Sequence, residues 1–157
     1  RCNKGWRRCQ SVRADRIYYR NLRCRLFLCK LQRLTVMNYF SEDELKCSHS
    51  GECEMNEAFM EKVNSIREVC DFPFTVTSAY RHPTHPIEAR KKKPGAHASG
   101  HAIDIAVRGD KAHRLIEIAL KYGMTGIGVA QKGGSRFIHL DDLTAEDGFP
   151  RPTVWSY

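Results

Sequence analysis

The chain has 157 residues, which is enough for one domain with a hydrophobic core that needs no disulfide bonds. No hydrophobic run approaches the roughly 20 residues that span a bilayer, so we expect no membrane span. The formal net charge of +8 is typical of nucleic-acid-binding proteins, but it is unevenly distributed. Residues 1–36 hold eleven of the Lys and Arg residues against one acid, whereas residues 37–157 hold fifteen bases and seventeen acids. We therefore do not expect nucleic acid as the partner of the main domain.

The first 36 residues differ from the rest of the chain, because they contain nine Arg and four of the seven Cys and show no helical or strand period. They are either a basic arm that binds nucleic acid or an anionic cell wall, or translated flanking sequence upstream of Met37. We favour the second interpretation. It predicts a basic, Cys- and Arg-rich extension over residues 1–36 that is disordered or non-native, and a single domain over residues 37–157. The apolar run 26–29 is too short for a secretory signal.

Two helices and a strand are predicted in the first part of the domain. Residues 41–44 form a capping box that opens a short helix through Lys46. Asn56 can cap a longer helix, whose apolar stripe consists of Phe59, Met60, Val63, Ile66 and Cys70. The β-branched run 74–78 predicts a strand, and residues 81–96, with three prolines, predict a polar loop.

The second part of the domain predicts three strands and one helix. The first strand covers residues 102–107, and Asp110 is the expected cap of the helix that follows and ends near Gly123. The inward side chains of this helix are expected to be Ala112, Leu115, Ile116, Ala119 and Leu120. Two further strands, near residues 126–130 and 136–140, are joined by a turn with hairpin chemistry. This order predicts an α+β fold with a small, mainly antiparallel sheet, helices on one face and a site on the other.

Two of the predicted strands place polar residues where a metal could bind. Ile103 and Ile105 face one side of the first strand, and Asp104 faces the other side between two alanines. A buried carboxylate needs a partner, and a metal ion is one.

His97 lies in the Gly- and Pro-containing loop before this strand and could fold back over its polar face. In the later strand, alternation places His139 and Asp141 on the same side. One histidine on a strand is more often structural, but two such motifs together favour a metal site. Two histidines and a carboxylate suit a three-ligand zinc site with an open fourth position.

The residues in and between these motifs resemble a known family. Thr77-Ser-Ala-Tyr-Arg81, His97-x-x-Gly100-x-Ala102-x-Asp104, Gly126-Ile-Gly128 and Phe137-Ile-His139-Leu-Asp141 are similar to the zinc D-Ala-D-Ala carboxypeptidase family, of the hedgehog/DD-peptidase type. The resemblance runs from about Met37 to Leu143. This family is common among bacteriophage endolysins and bacterial peptidoglycan peptidases.

The resemblance implies a hedgehog/DD-peptidase-like fold and a zinc ion held by His97, Asp104 and His139. It also implies that Arg81 holds a carboxylate or carbonyl of the substrate, a task that suits a planar guanidinium. The implied activity is a zinc metallopeptidase that acts on peptidoglycan stem peptides, either as a D-Ala-D-Ala carboxypeptidase or as an endolysin-type endopeptidase. We expect the protein to be a monomer without a signal peptide. It is expected to be phage-encoded or cytoplasmic and to act on the cell wall.

The general base departs from the family pattern. Many relatives carry Asp or Glu three residues before the second histidine, where this chain has Arg136, which cannot accept a proton. Asp141 is the best substitute as catalytic base, because it lies about 6.6 Å from His139 along the same strand face. It could equally orient an imidazole. His101 is a weaker candidate for the base, because alternation along the strand places it on the same face as Ile103. Arg136 also makes an alternative function plausible, namely a non-catalytic zinc-binding module of the same fold in a virion or cell-wall-binding protein.

Overall fold

The computed structural model describes residues 38–157, and the predictions made for residues 1–36 lie outside this range. In chain order the helices are α1 (Glu42–Leu45), α2 (Glu57–Cys70), α3 (Pro86–Ala89) and α4 (Gly109–Lys121), with a 3-10 turn at Ala96–Ser99. The strands are β1 (Thr75–Ser78), β2 (Ala102–Ala106), β3 (Gly126–Ala130), β4 (Phe137–Asp141) and β5 (Thr153–Ser156). No helix within residues 38–157 is long and apolar enough to cross a membrane.

The five strands form one sheet in the order β1-β2-β4-β3-β5. All neighbours are antiparallel except β3 and β5, which are parallel. The register aligns one row of residues across four strands: Asp104 lies opposite His139, His139 opposite Gly128, and Gly128 opposite Trp155. Residues in one row point to the same face of a sheet. The two candidate ligands on strands are therefore direct cross-strand neighbours.

Helices α2 and α4 cover the opposite face of the sheet. Ile103 and Ile105 of β2 and Ile138 and Leu140 of β4 are fully buried in one hydrophobic cluster. The same cluster contains residues of α2 and α4, including Phe59, Val63, Ile66 and Leu115. The predicted α+β fold, with helices on one face of a mainly antiparallel sheet, is confirmed. Burial of the isoleucine face leaves Asp104 and His139 on the other one.

The predicted helix boundaries hold with local differences. The carboxylate of Glu44 accepts a hydrogen bond from the backbone N–H of Ser41 at 2.9 Å, but α1 ends at Leu45, one residue before the predicted end. Asn56 caps α2, because its side chain accepts from the N–H of Phe59 at 3.0 Å. The prediction that Asp110 caps α4 is wrong: the helix begins at Gly109, and Asp110 lies in its first turn.

The inward face of α4 also differs from the prediction. Leu120 is 55% exposed, whereas Ile118 is buried. Ile118 follows Leu115 by three residues and lies on the same helix face, which is the face that packs on the sheet. The helix α3, the 3-10 turn and the strand β5 were not predicted.

Candidate metal centre

Three side chains that could bind a metal converge on the face of the sheet opposite α2 and α4. His97 comes from the 3-10 turn, Asp104 from β2 and His139 from β4, and all three are buried. One potential ligand atom from each lies within 4.8 Å of the other two. Within the part of the chain that the structure describes, no other group of three His, Cys, Asp or Glu residues meets this condition.

The turn that carries His97 is held against the sheet by a close backbone approach. Gly100 ends the turn with φ +74°, a left-handed conformation that favours glycine. A Cβ at this position would overlap the carbonyl oxygen of Glu54. The N–H of Asn56 donates to the carbonyl of Gly100 at 3.0 Å. Glycine is therefore required for the turn to pack where His97 reaches Asp104.

The orientation of the His97 ring is fixed by one backbone carbonyl. Nδ1 of His97 lies 2.6 Å from the carbonyl oxygen of Ala79, which can only accept, so Nδ1 carries the proton. The lone pair is then on Nε2, which lies 3.3 Å from Oδ2 of Asp104. Burial, together with the charges of His139 and Arg81, lowers the pKa of His97 although Asp104 acts in the opposite direction, and this favours the neutral ring. A lone pair that faces a carboxylate oxygen is stable when a cation lies between them.

The His139 ring is held between two carboxylates. Nδ1 lies 2.7 Å from Oδ1 of Asp104, and Nε2 lies 3.1 Å from Oδ2 of Asp141. Burial alone would lower the pKa of His139, but the hydrogen bonds to Asp104 and Asp141 outweigh it and raise the pKa. Nδ1 is the nitrogen that faces Asp104, and Nε2 is the nitrogen that faces Asp141.

Asp104 is the shared partner of both rings. Burial would raise the pKa of its carboxyl group, but the contacts with His139 and His97 together outweigh this effect and hold the pKa far below the usual range. Nη2 of Arg81 lies 3.2 Å from Oδ2 of Asp104. The carboxylate is therefore ionised and available to a cation.

Asp141 is fully buried and has both oxygens engaged. Nε of Arg151 donates to Oδ1 at 2.8 Å and Nη2 donates to Oδ2 at 2.6 Å, in addition to the contact with His139. Burial would raise the pKa of Asp141, but the hydrogen bonds from Arg151 and His139 lower it. Of the two roles expected for Asp141, this geometry favours orientation of the imidazole over proton abstraction from water, because Asp141 does not line the cleft and both of its oxygens are bonded to Arg151.

Arg81 lies at the edge of the same group. Nε donates to Oγ of Ser78 at 2.9 Å, and Nη1 lies 3.7 Å from Oε1 of the buried Glu88. The side chain is 19% exposed and lines the cleft next to the candidate ligands. Because a guanidinium has five N–H groups, Arg81 keeps donors for a bound molecule after these contacts.

A cleft of about 370 Å³ opens over the three candidate ligands. Its walls combine cations with aromatic rings, namely Arg81, Lys91, Arg151, Phe137, Phe149, Trp155 and Tyr157. Among residues 38–157, Asp104 is the only carboxylate that lines it. The cleft is therefore suited to an anionic ligand with apolar parts.

Arg136, which stands where relatives carry the base, and His101, the weaker candidate base, both lie away from the cleft. Arg136 is exposed, and its Nε donates to the carbonyl of Gly133 at 2.9 Å. Nδ1 of His101 pairs with Oδ1 of Asp142 at 2.8 Å, and His101 lines a different pocket. Neither residue lines the cleft that contains the candidate ligands.

Arg151 and Trp155 are among the residues of the site that sequence reasoning missed. Their segment contains β5, which pairs with β3 and so reaches the site. The β-branched and aromatic residues Thr153, Val154, Trp155 and Tyr157 are a signal that could have predicted this strand. A lone arginine ten residues after Asp141 carries no comparable signal.

The three residues fit a metal ion. Two imidazoles and a carboxylate are the donor types of three-ligand catalytic sites. In each ring one nitrogen is bonded outside the group, Nδ1 of His97 to Ala79 and Nε2 of His139 to Asp141, so the other nitrogen is the one available to a metal. Such a group beside an open cleft is the arrangement of metal-dependent hydrolases.

The comparison with known families agrees with this class. The family model described as Peptidase M15 matches residues 38–141, which is more than half of the chain. The chain therefore belongs to the Peptidase M15 family, and the family predicted from the motifs is confirmed. A search of curated proteins finds no match. The matched region contains Arg81 and all three candidate ligands, whereas Arg151 and Trp155 lie beyond it.

Proposed function

We propose that this protein is a zinc-dependent peptidase that hydrolyses peptidoglycan stem peptides, as a D-Ala-D-Ala carboxypeptidase or as an endolysin-type endopeptidase. The observation that carries the proposal is the buried group of His97, Asp104 and His139 at the base of an open cleft. Membership of the Peptidase M15 family supports the peptidase activity. The resemblance of the motifs to zinc D-Ala-D-Ala carboxypeptidases supports zinc and peptidoglycan.

His97, Asp104 and His139 would hold the ion. When bound, zinc supplies a Lewis acid that polarises the scissile carbonyl and activates water. Arg81 would bind a carboxylate or carbonyl of the substrate through its remaining N–H groups. Lys91 adds a second cation to the same wall of the cleft. A peptide that ends in a carboxylate matches this distribution of charge.

Asp141 acts in this proposal as the residue that orients His139, and not as the general base.

One observation favours a second candidate function. Within residues 38–157, the only carboxylate that lines the cleft is Asp104, which is itself a candidate ligand, while Asp141 lies outside this lining and is paired with Arg151. A non-catalytic zinc-binding module, in a virion or a cell-wall-binding protein, would have this composition.

Digestion of purified muropeptides, followed by mass spectrometry, separates the two functions. The full chain is loaded with zinc and assayed with and without a chelator. We expect cleavage that the chelator abolishes, and the mass of the product identifies the bond. Zinc bound at one equivalent without cleavage of any muropeptide would favour the non-catalytic module.

Substitution of the candidate ligands tests the site itself. We expect His97→Ala and His139→Ala to lose stoichiometric zinc, because each residue supplies one of only three protein ligands. His113→Ala is the matched control, since His113 is exposed on α4. Full zinc content in both ligand variants, measured by elemental analysis, would refute the assignment.

A further inference from the structure

A chain of polar contacts connects His139 to a residue outside the family match. Oδ2 of Asp141 lies 3.1 Å from Nε2 of His139 and accepts a hydrogen bond from Nη2 of Arg151 at 2.6 Å. A second hydrogen bond, from Nε of Arg151 to Oδ1 of Asp141, measures 2.8 Å. Two parallel N–H donors on one carboxylate fix both its position and its plane.

The fold makes room for this pair at one position. Gly126 lies opposite Asp141 in the register of β3 and β4. A Cβ at Gly126 would overlap both carboxylate oxygens of Asp141 and Nε of Arg151. The pair therefore occupies space that any other residue at this position would fill.

Arg151 is itself held in place by an aromatic ring. Its guanidinium carbon lies 4.8 Å from the centre of the Trp155 ring, a cation–π distance. The Trp155 ring lies 5.2 Å from the His139 ring and crosses above Gly128, where a Cβ would approach it within 2.9 Å. Arg151 and Trp155 thus enclose the side of His139 that faces away from Asp104.

We propose that Arg151 is a positioning residue for the metal site. It holds the Asp141 carboxylate so that Asp141 accepts the Nε2–H of His139, and His139 then presents Nδ1 toward His97 and Asp104. Arg151 does not bind the ion and does not act on the substrate. This inference rests on the metal site of the proposed function.

The test measures cobalt(II) binding and the exchange of two imidazole protons with solvent. In the cobalt-loaded full chain, we expect the Nδ1–H of His97 and the Nε2–H of His139 to lie close to the paramagnetic ion and to be resolved by proton NMR. The first proton is bonded to the carbonyl of Ala79 and the second to Asp141. The His97 proton is therefore an internal control for the His139 proton.

We expect Arg151→Gln to weaken cobalt binding by about 10- to 100-fold, the usual effect of a residue that orients a ligand. The His139 proton exchanges faster in this variant, and the His97 proton exchanges as in the unsubstituted protein. Arg151→Lys keeps the positive charge and recovers part of the affinity. Arg136→Gln is the matched control, because Arg136 is exposed and makes its contact with Gly133.

Other outcomes overturn the inference. If Arg151→Gln and Arg136→Gln bind cobalt equally and leave the His139 proton unchanged, Arg151 does not position His139. If both imidazole protons exchange faster by the same factor, Arg151 stabilises the fold in general. Should Arg151→Gln fail to fold, Arg151→Lys is compared in the same way, since its single donor group cannot replace the paired contact. An unsubstituted protein that binds no cobalt would overturn the metal site, and this inference with it.

Discussion

Asp141→Asn is the substitution that decides between the two roles of this carboxylate. Asp141 accepts two hydrogen bonds from Arg151, at 2.8 and 2.6 Å, and a third from His139 at 3.1 Å. Asparagine has the same shape but only one acceptor oxygen, so its NH₂ group must face a donor. The guanidinium of Arg151 is then left without a counter-ion in a nearly closed environment, since its side chain is 9% exposed.

The magnitude follows from these contacts. A hydrogen bond to a charged group contributes about 1.5 to 3 kcal/mol, and removal of one partner of a buried ion pair costs about 3 to 5 kcal/mol. We expect a free energy of unfolding lower by about 3 to 5 kcal/mol in urea denaturation. We also expect metal affinity to fall by about 10- to 100-fold, because His139 loses the acceptor of its Nε2–H.

Asp142→Asn is the matched control. Asp142 is the next residue and also forms an ion pair, but its partners are Lys62 and His101, which do not line the cleft. We expect its metal affinity to equal that of the unsubstituted protein. If Asp141→Asn kept its metal affinity and lost turnover by about 10² to 10⁴, as the loss of a general base does, the orienting role would be refuted.

Three further predictions concern other parts of the molecule. Gly126→Ala places a methyl group against the Asp141 carboxylate, so we expect lower metal affinity in a metal titration and a free energy of unfolding lower by about 1 to 3 kcal/mol in urea denaturation. Gly134→Ala is the control, because a methyl group at Gly134 has open space and is expected to leave both quantities unchanged. Arg81→Ala is expected to lower kcat/KM on muropeptides tenfold or more, because it removes a charge-assisted contact with the substrate. If elemental analysis showed that this variant loses the metal, Arg81 would instead have a structural role in the metal site. Removal of residues 1–36 is expected to leave metal content and the circular dichroism spectrum unchanged, because the candidate ligands and the described core come later in the chain; an insoluble or metal-free product would contradict this.

Local physical chemistry explains which parts of the site could be predicted from the sequence. The alternation of Ile103 and Ile105 with Asp104, and of Ile138 and Leu140 with His139, fixes which face each polar side chain occupies, because side chains of a strand point to opposite faces in turn. Once helices bury the isoleucine face, a shift of one residue would place Asp104 in the apolar core, so the register is strongly specified. The apolar stripe from Phe59 to Cys70 is likewise predictable from the sequence, because its residues recur at helical spacing.

The sequence alone therefore determined the α+β fold, the face that carries the site and the three candidate ligands. Only the tertiary structure decided what surrounds them. Pairing of β5 with β3 brings Arg151 and Trp155 beside Asp141 and His139, and the register places Gly126 and Gly128 where these side chains need room. Strand parity shows that a residue faces the site, but contacts between separate segments decide whether it is free to react. For Asp141 those contacts are with Arg151, which bonds to both carboxylate oxygens, and they favour an orienting role over proton abstraction from water.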